Sequence, residues 1–511
     1  MTIPFNKYCI QLNKKDSVAV AKQKLSPGLE LNLNPEKINE ILVVREEIPQ
    51  GHKIALQPID GGEQLYKYGF AIGKATRRIE PGNWVHSHNL ALGEIQRDFQ
   101  PAASSESGPS FKEGQGSTFS GYARKNGTAG TRNYFAVISS VSCAAQTALA
   151  LASSFTEADL AEFPYVDGVI AITHPLGCCA PIDSQDFNML NRVFANILEH
   201  PNVGGAIFIT LGCEGNQIDE AFFGNHTARV PVFSIQELGG IEKTIQAARA
   251  TILEQLPGIN HPRTEIPISR LKLALQCGGS DGWSGITANP LVGRIVDTVV
   301  AAGGSAVLSE TPEIVGAEQL LISRAASPEI ADKLIARIKF WQSLVKEYGV
   351  SLDNNPTPGN KAGGITTIYE KSLGAIAKGG SSALMDVCEY GQRSTSQGLI
   401  FMDSPGYDPV SVTGQIASGC NLVLFTTGRG TVFGSHLAPC VKIATHDELF
   451  SRMQNDMDFN AGIMLELKDI NEIRADLLTM ILQTASGKKT KSEAWGHREA
   501  EFIPWAIHGP L

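Results

Sequence analysis

Over the first hundred positions, apolar residues come in short bursts separated by turn chemistry. In KINEILVVREEIPQGHKIALQPIDGGEQLYKYGFAIGKATRRIEPGNWVHSHNLAL the bursts are bounded by Pro-Gln-Gly, Asp-Gly-Gly and Pro-Gly. That punctuation suits strands better than helices. It predicts a small, mostly-β module over residues 1–98. The pattern then stops: QPAASSESGPSFKEGQGSTF carries almost no apolar residue. Such a segment cannot bury enough surface to offset its ordering entropy, which predicts a flexible linker over 99–120.

From Gly121 onward the apolar runs are continuous, and each is followed by a glycine-rich turn and a helical pattern. FAVISSVSC ends at Cys143, VDGVIAIT is followed by His174, GAIFITLGC ends at Cys213 and LKLALQCGGSDG contains Cys277. SAVLSE, SALMDV and NLVLFTTGRG continue the series. Continuous runs mark strands covered on both faces, so residues 121–511 are predicted to be α/β with largely parallel sheets, divisible into two subdomains. Open parallel sheets gather ligands at the carboxyl ends of their strands. A lone cysteine there reads as a small buried hydrophobe, but Cys143, Cys178, Cys213 and Cys277 at equivalent places, with His174, point to chemistry.

Composition narrows the function. Of 511 residues 51 are glycine and only 19% are charged, a compact and loop-rich make-up that excludes disorder, collagen and coiled coil. A formal net charge of −9 offers no attraction for nucleic acid or an anionic membrane. There is no apolar run long enough for a spanning helix and no signal-peptide core at the start, so a cytoplasmic location is expected. Nine cysteines, an odd number scattered through the chain, predict reduced thiols rather than a disulfide framework.

Several motifs carry candidate chemistry. His86 and His88 alternate in VHSHN, so on a strand both imidazoles share a face and suit one divalent ion, with His52 of QGHK nearby; two solvated turn histidines are the alternative. Cys213-Glu214 in LGCEGNQ and Cys277 in QCGGSDGWSG place thiols in glycine turns whose amides suit a small carboxylate. Simple strand-to-helix turns would look the same. In FTTGRGT, Arg429 between glycines offers a planar fork for a sugar-acid carboxylate. GNKAGG and ASGKK set lysines on further glycine turns. The absence of GxGxxG, HExxH and CxxC removes support for nicotinamide dehydrogenases and common zinc proteases.

Taken together, QGHKIAL, YGFAIG, GYARKNGTAGTRN, VDGVIAITH, LGCEGNQ, QCGGSDGWSGITANP, PTPGNKAGGI, FTTGRGT and ASGKK resemble the altronate and galactarate dehydratase family over essentially the full length. VHSHN, LVGR and SETPEIVGAEQLL look like its altronate branch. The resemblance implies an N-terminal SAF module, a large dehydratase region and dependence on divalent iron or manganese. One departure stands out: where the family often has tyrosine before the Gly-Cys, this chain has Leu176 before Gly177-Cys178.

Dehydrating a 2,3-dihydroxy acid means removing the C2 proton and expelling the C3 hydroxyl, which calls for a Lewis acid, a base and an acid. With the resemblance, the expected catalytic residues are His174, Cys178, Glu214 and Asp281, with His174 as acid or base. Arg132, Asn133, Asn289, Asn360, Lys361, Thr427 and Arg429 are expected to bind substrate. His52, His86, His88, Cys213 and Cys277 are expected to hold iron or manganese. An iron–sulfur cluster on Cys143, Cys178, Cys213 and Cys277 is the alternative Lewis acid. The substrate expected is D-altronate; rivals are galactarate or another hydroxy acid, and a non-enzymatic sensor. No nucleic-acid or membrane partner is expected, and the chain is expected to form a homodimer.

Overall fold

The computed structural model describes residues 3–33, 40–93, 116–179, 181, 184–219, 222, 229–466, 469–496 and 502–507. The N-terminal module is built of small sheets, mostly antiparallel, whose strands include Val18–Ala21, Lys53–Ala55, Phe70–Ala75 and Trp84–Val85. Their short apolar bursts close on a core of Leu25, Leu31, Leu42, Ile48 and Ile54. Residues 99–115 of the expected linker lie outside the described residues. Its last three positions, 118–120, already belong to strand Thr118–Ala123, because this segment pairs with Thr264–Pro267.

The continuous apolar runs form two parallel sheets. The first has strands β1 (Tyr134–Ser139), β2 (Gly168–Ile172), β3 (Val203–Thr210) and β4 (Val232–Ser234), in the order β2-β1-β3-β4. The second has β5 (Lys272–Cys277), β6 (Ser305–Leu308), β7 (Leu384–Cys388), β8 (Gly398–Met402), β9 (Leu422–Thr427), β10 (Cys440–Ala444) and β11 (Phe459–Asn460). These run in the order β7-β8-β6-β5-β9-β10-β11, all parallel. Strand β9 is buried throughout, as a two-sided covering requires.

Helices α1 (Gln185–Leu198) and α2 (Asp408–Ala417) pack between the sheets, with Phe194, Ile416, Phe425 and Met402 in one apolar core. The amino ends of the two sheets are tied together. His200 Nδ1 accepts from Asn202 N, so Nε2 donates to the Cys420 carbonyl at 3.0 Å, and Asn421 donates to Ala129 O at 2.9 Å. Both sheets therefore point the same way, and their carboxyl ends open on one side of the molecule.

Candidate active site

Four of the glycine-rich motifs meet at the carboxyl end of the seven-stranded sheet, under the N-terminal module. The backbone amides of Gly428 and Arg429 donate to Gly279 O at 3.0 and 2.7 Å, Asn360 Nδ2 donates to Ser280 O at 2.8 Å, and Gly282 N donates to Gly363 O at 2.7 Å. From the module, Gly51 lies so close to Gly282 that a side chain at 282 would strike its carbonyl. A Cβ on Gly428 would likewise collide with the Asp281 carboxylate. Glycine here lets three loops and the module pack backbone to backbone.

The module is fastened by a buried ion triad. Lys53 Nζ donates to Glu370 Oε2 at 2.8 Å and Lys67 Nζ to Oε1 at 2.8 Å, while Thr366 donates both N–H and hydroxyl to Oε2. Despite desolvation, the two ammonium groups hold the Glu370 carboxyl far below its usual range. Desolvation brings Lys53 down to about 8.

Beneath the loops lies a second charged cluster that the sequence reading did not single out. Gln276, near the end of β5, sends its amide Nε2 to both Glu310 Oε1 at 2.8 Å and Asp408 Oδ1 at 2.9 Å. Lys378 Nζ stands 2.8 Å from Cys277 Sγ, and Lys371 Nζ 2.6 Å from Glu313 Oε1. Desolvation and then Glu313 push Glu310 well above its ordinary value, while Lys371, against desolvation, holds Glu313 below its own. Desolvation lifts Asp408, at the first turn of α2, to about 6. Glu310 also adopts φ of 71°, a left-handed conformation for a non-glycine residue, and such strain concentrates at functional sites. One signal was present in the sequence: SETPEI puts two carboxyls directly behind the apolar run SAVL.

Asp408 is half-buried and reaches the surface beside Gly278, whose missing side chain makes room for its carboxylate. Exposed Arg429 lies next to Gly279. Asp408 and Arg429 thus flank the Gly278-Gly279 pair, with Glu310 buried behind Asp408 across the Gln276 amide. Paired carboxyls driven to opposite protonation states are the signature of acid–base work.

Other expected substrate contacts have different tasks. Arg132 forms a bidentate pair with Glu493 and donates to the carbonyls of Thr131, Thr484 and Lys488, at the amino end of β1. Asn133 holds the carbonyls of Tyr165 and Ile259. This is the amino end of the sheet, where both residues join segments of the chain. Asn289 links Gly374 O to the Thr426 hydroxyl, Asn360 caps its own helix, and Thr427 Oγ1 accepts from Gly430 N. Asp281 is buried and accepts from Trp283 N, Ser284 and Thr445, which makes it the fastener of the QCGGSDGWSG loop.

Of the expected metal ligands, His52 and His86 lie side by side, their ring centroids 5.1 Å apart, while Cys213 and Cys277 lie on different sheets. His52 accepts from Trp84 Nε1 at 3.2 Å and turns Nε2 to Ala362 O, while His86 turns Nε2 to Lys361 O at 2.8 Å and Nδ1 to the Ser87 hydroxyl. Both rings are occupied in docking the module onto the PTPGNKAGG loop, and desolvation lowers His52 to about 4. His88 is exposed beside Trp84, Cys213 belongs to the other sheet, and Cys277 is buried. Cys277, Glu310 and Glu313 do bring ligand atoms within 4.8 Å of one another. Lys378 and Lys371 already place positive charge on that donor set, so it does not fit a divalent ion.

At the carboxyl end of the first sheet, Glu214 accepts from Ser140 Oγ at 2.5 Å, Leu211 N at 3.1 Å and Gly212 N at 2.6 Å, which shapes the loop carrying Cys213. His174 is buried, with Nδ1 accepting from Leu176 N, and desolvation lowers it to about 4. Of the two roles expected of it, acid or base, an imidazole neutral at physiological pH is suited to the base. Leu176, where the family often has tyrosine, is buried in the inter-sheet core and offers no proton.

Two parallel sheets with acid–base groups at a carboxyl end, closed by a β module, define an enzyme for a small polar substrate. Three family models cover the chain in order: the altronate/galactarate dehydratase SAF domain over residues 7–93, the second domain of D-galactarate dehydratase/altronate hydrolase over 121–260, and the D-galactarate/altronate dehydratase C-terminal domain over 268–508. The chain is 37% identical to altronate dehydratase of Bacillus subtilis (strain 168), over 95% of this chain and 96% of that protein. It is 36% identical to altronate dehydratase of Escherichia coli (strain K12), over 96% and 97%. Galactarate dehydratase (L-threo-forming) of the same organism is 35% identical over 88% of each chain. The protein belongs to the D-galactarate/altronate dehydratase family and is a hydro-lyase. Among the described residues no helix is long and apolar enough to cross a membrane.

Proposed function

We propose that this enzyme dehydrates D-altronate to 2-dehydro-3-deoxy-D-gluconate. The observation that carries the reading is the single amide of Gln276 holding Glu310 and Asp408 together in opposite protonation states. Arg429 takes the substrate carboxylate in a bidentate grip. Asp408, ionised at neutral pH and close to it in pKa, removes the C2 proton. Glu310 gives its proton to the departing C3 hydroxyl, and the enol that remains ketonises in solution. Iron or manganese would supply a Lewis acid for the acid's oxygens, but with lysines on the C-terminal donor set no step above runs through it.

Altronate is favoured over galactarate by the near-complete coverage of both altronate dehydratases. The expected setting is the cytoplasm, which keeps the nine free thiols reduced, and the expected assembly a homodimer. An end-point assay for 2-keto-3-deoxy acids across aldonates and aldarates, run anaerobically with ferrous ion, tests the substrate. Preference for altronate is the expected result; preference for galactarate, or no turnover of any sugar acid, overturns it.

A further inference from the structure

The carboxyl end of the four-stranded sheet gathers four thiols. Cys143 follows β1, Cys178 and Cys179 follow β2, and Cys213 follows β3, and these three strands are neighbours in the sheet. The loops are joined directly, since Gly215 N donates to Cys178 O at 2.9 Å. Cys178 and Cys179 Sγ are 3.7 Å apart, and Gln236 Nε2 donates to Cys213 Sγ at 3.3 Å. Cys143, Cys179 and Cys213 are exposed, unlike the buried Cys9, Cys277, Cys388, Cys420 and Cys440.

A second observation points to a ligand at the same place. Among the described residues, Ser139 Oγ, His174 Nε2 and both side-chain polar atoms of Asn216 are buried and make no hydrogen bond. Ser139 ends β1, His174 follows β2, and Asn216 lies three residues beyond Cys213. Four unpaired polar atoms at the ends of three adjacent strands are costly unless something binds there.

We propose that Cys143, Cys213 and the vicinal pair Cys178-Cys179 form the thiolate site of an iron–sulfur cluster. A single tetrahedral ion with metal–sulfur bonds of about 2.3 Å holds its sulfurs about 3.8 Å apart. No three of these four sulfurs lie within 4.8 Å of one another. That spread suits several irons bridged by sulfide, with the thiols losing their protons as iron binds. Cys277, buried against Lys378 on the other sheet, is not part of the set. The assignment does not rest on the proposed dehydration, whose groups lie at the carboxyl end of the other sheet.

The test is chemical analysis of the anaerobically purified full-length protein, reconstituted with ferrous ion and sulfide. Iron and acid-labile sulfide in near-equal amounts, with absorbance near 400 nm, are expected. Cys143→Ser, Cys213→Ser and the double variant Cys178→Ser/Cys179→Ser should each lose most of the sulfide and absorbance, with circular dichroism unchanged. Cys9→Ala should keep both. One iron per chain without sulfide, an adventitious ion only, or unchanged sulfide in the variants would falsify the cluster. The two readings fail separately: altronate turnover with no sulfide leaves the function standing, and a cluster with no sugar-acid turnover leaves the site standing.

Discussion

At the carboxyl end of the seven-stranded sheet, Glu370 accepts from two lysines and a threonine, Gln276 bridges two carboxyls, and Asp281 accepts from three residues of its own and a neighbouring loop. At the carboxyl end of the four-stranded sheet, Ser139, His174 and Asn216 keep buried polar atoms without partners among the described residues, and four thiols crowd the strand ends. Both are the carboxyl ends of parallel sheets. On the readings proposed above, the saturated one holds the acid–base groups in place by internal bonds and the unsaturated one takes up a ligand that the polypeptide does not supply. Completeness of pairing therefore separates a positioning network from a binding site more sharply than strand position does.

The largest expected effect breaks the saturated end at its working group. Asp408→Asn should lower turnover by about 10²–10⁴-fold with the fold intact, as removal of a general base does. In the unaltered enzyme, turnover should fall as pH drops through about 6, where Asp408 takes a proton; a profile flat across that pH would remove it from the mechanism. Next, Glu370→Ala strands two buried ammonium groups and should cost about 3–5 kcal/mol, read from urea denaturation. Because Glu370 is held below its ordinary value, its contribution is full above the usual carboxylate range and is lost progressively as pH falls from there toward its depressed folded value; the variant should lack this acid sensitivity.

Arg429→Lys should raise KM about tenfold to a hundredfold, since a point charge replaces a planar fork. An unchanged KM would show that the exposed guanidinium faces only solvent. The smallest effect is at the module's edge. His86→Ala should cost about 1–3 kcal/mol by leaving the Lys361 carbonyl unpaired, with iron content unchanged. Loss of iron in that variant would return the histidine to a ligand role and erase the contrast between the two ends.

The parallel sheets were legible because runs such as YFAVIS, VGGAIFIT and LVLFTT are continuous, and continuity reports two-sided burial. The glycine motifs were legible as loops, though not that they pack on one another at Gly282 and Gly428. Lys53, Lys67, Glu370, Lys378 and Asp408 gave no signal. An isolated charged residue looks solvated until the tertiary fold brings its partner from 100 or 300 positions away. The reverse error befell Arg132 and Asn133, whose polar motif serves chain-to-chain fastening.

The ion triad also sets the order in which the protein can be finished. Lys53 and Lys67 are synthesised more than 300 residues ahead of Glu370, their shared counter-ion. Until that carboxylate has left the ribosome, both ammonium groups must stay hydrated, and the face of the module that carries them stays wet. The part of the chain made first is thus among the last to reach its final packing, and a truncated product lacking Glu370 would display an undocked module with two unpaired charges.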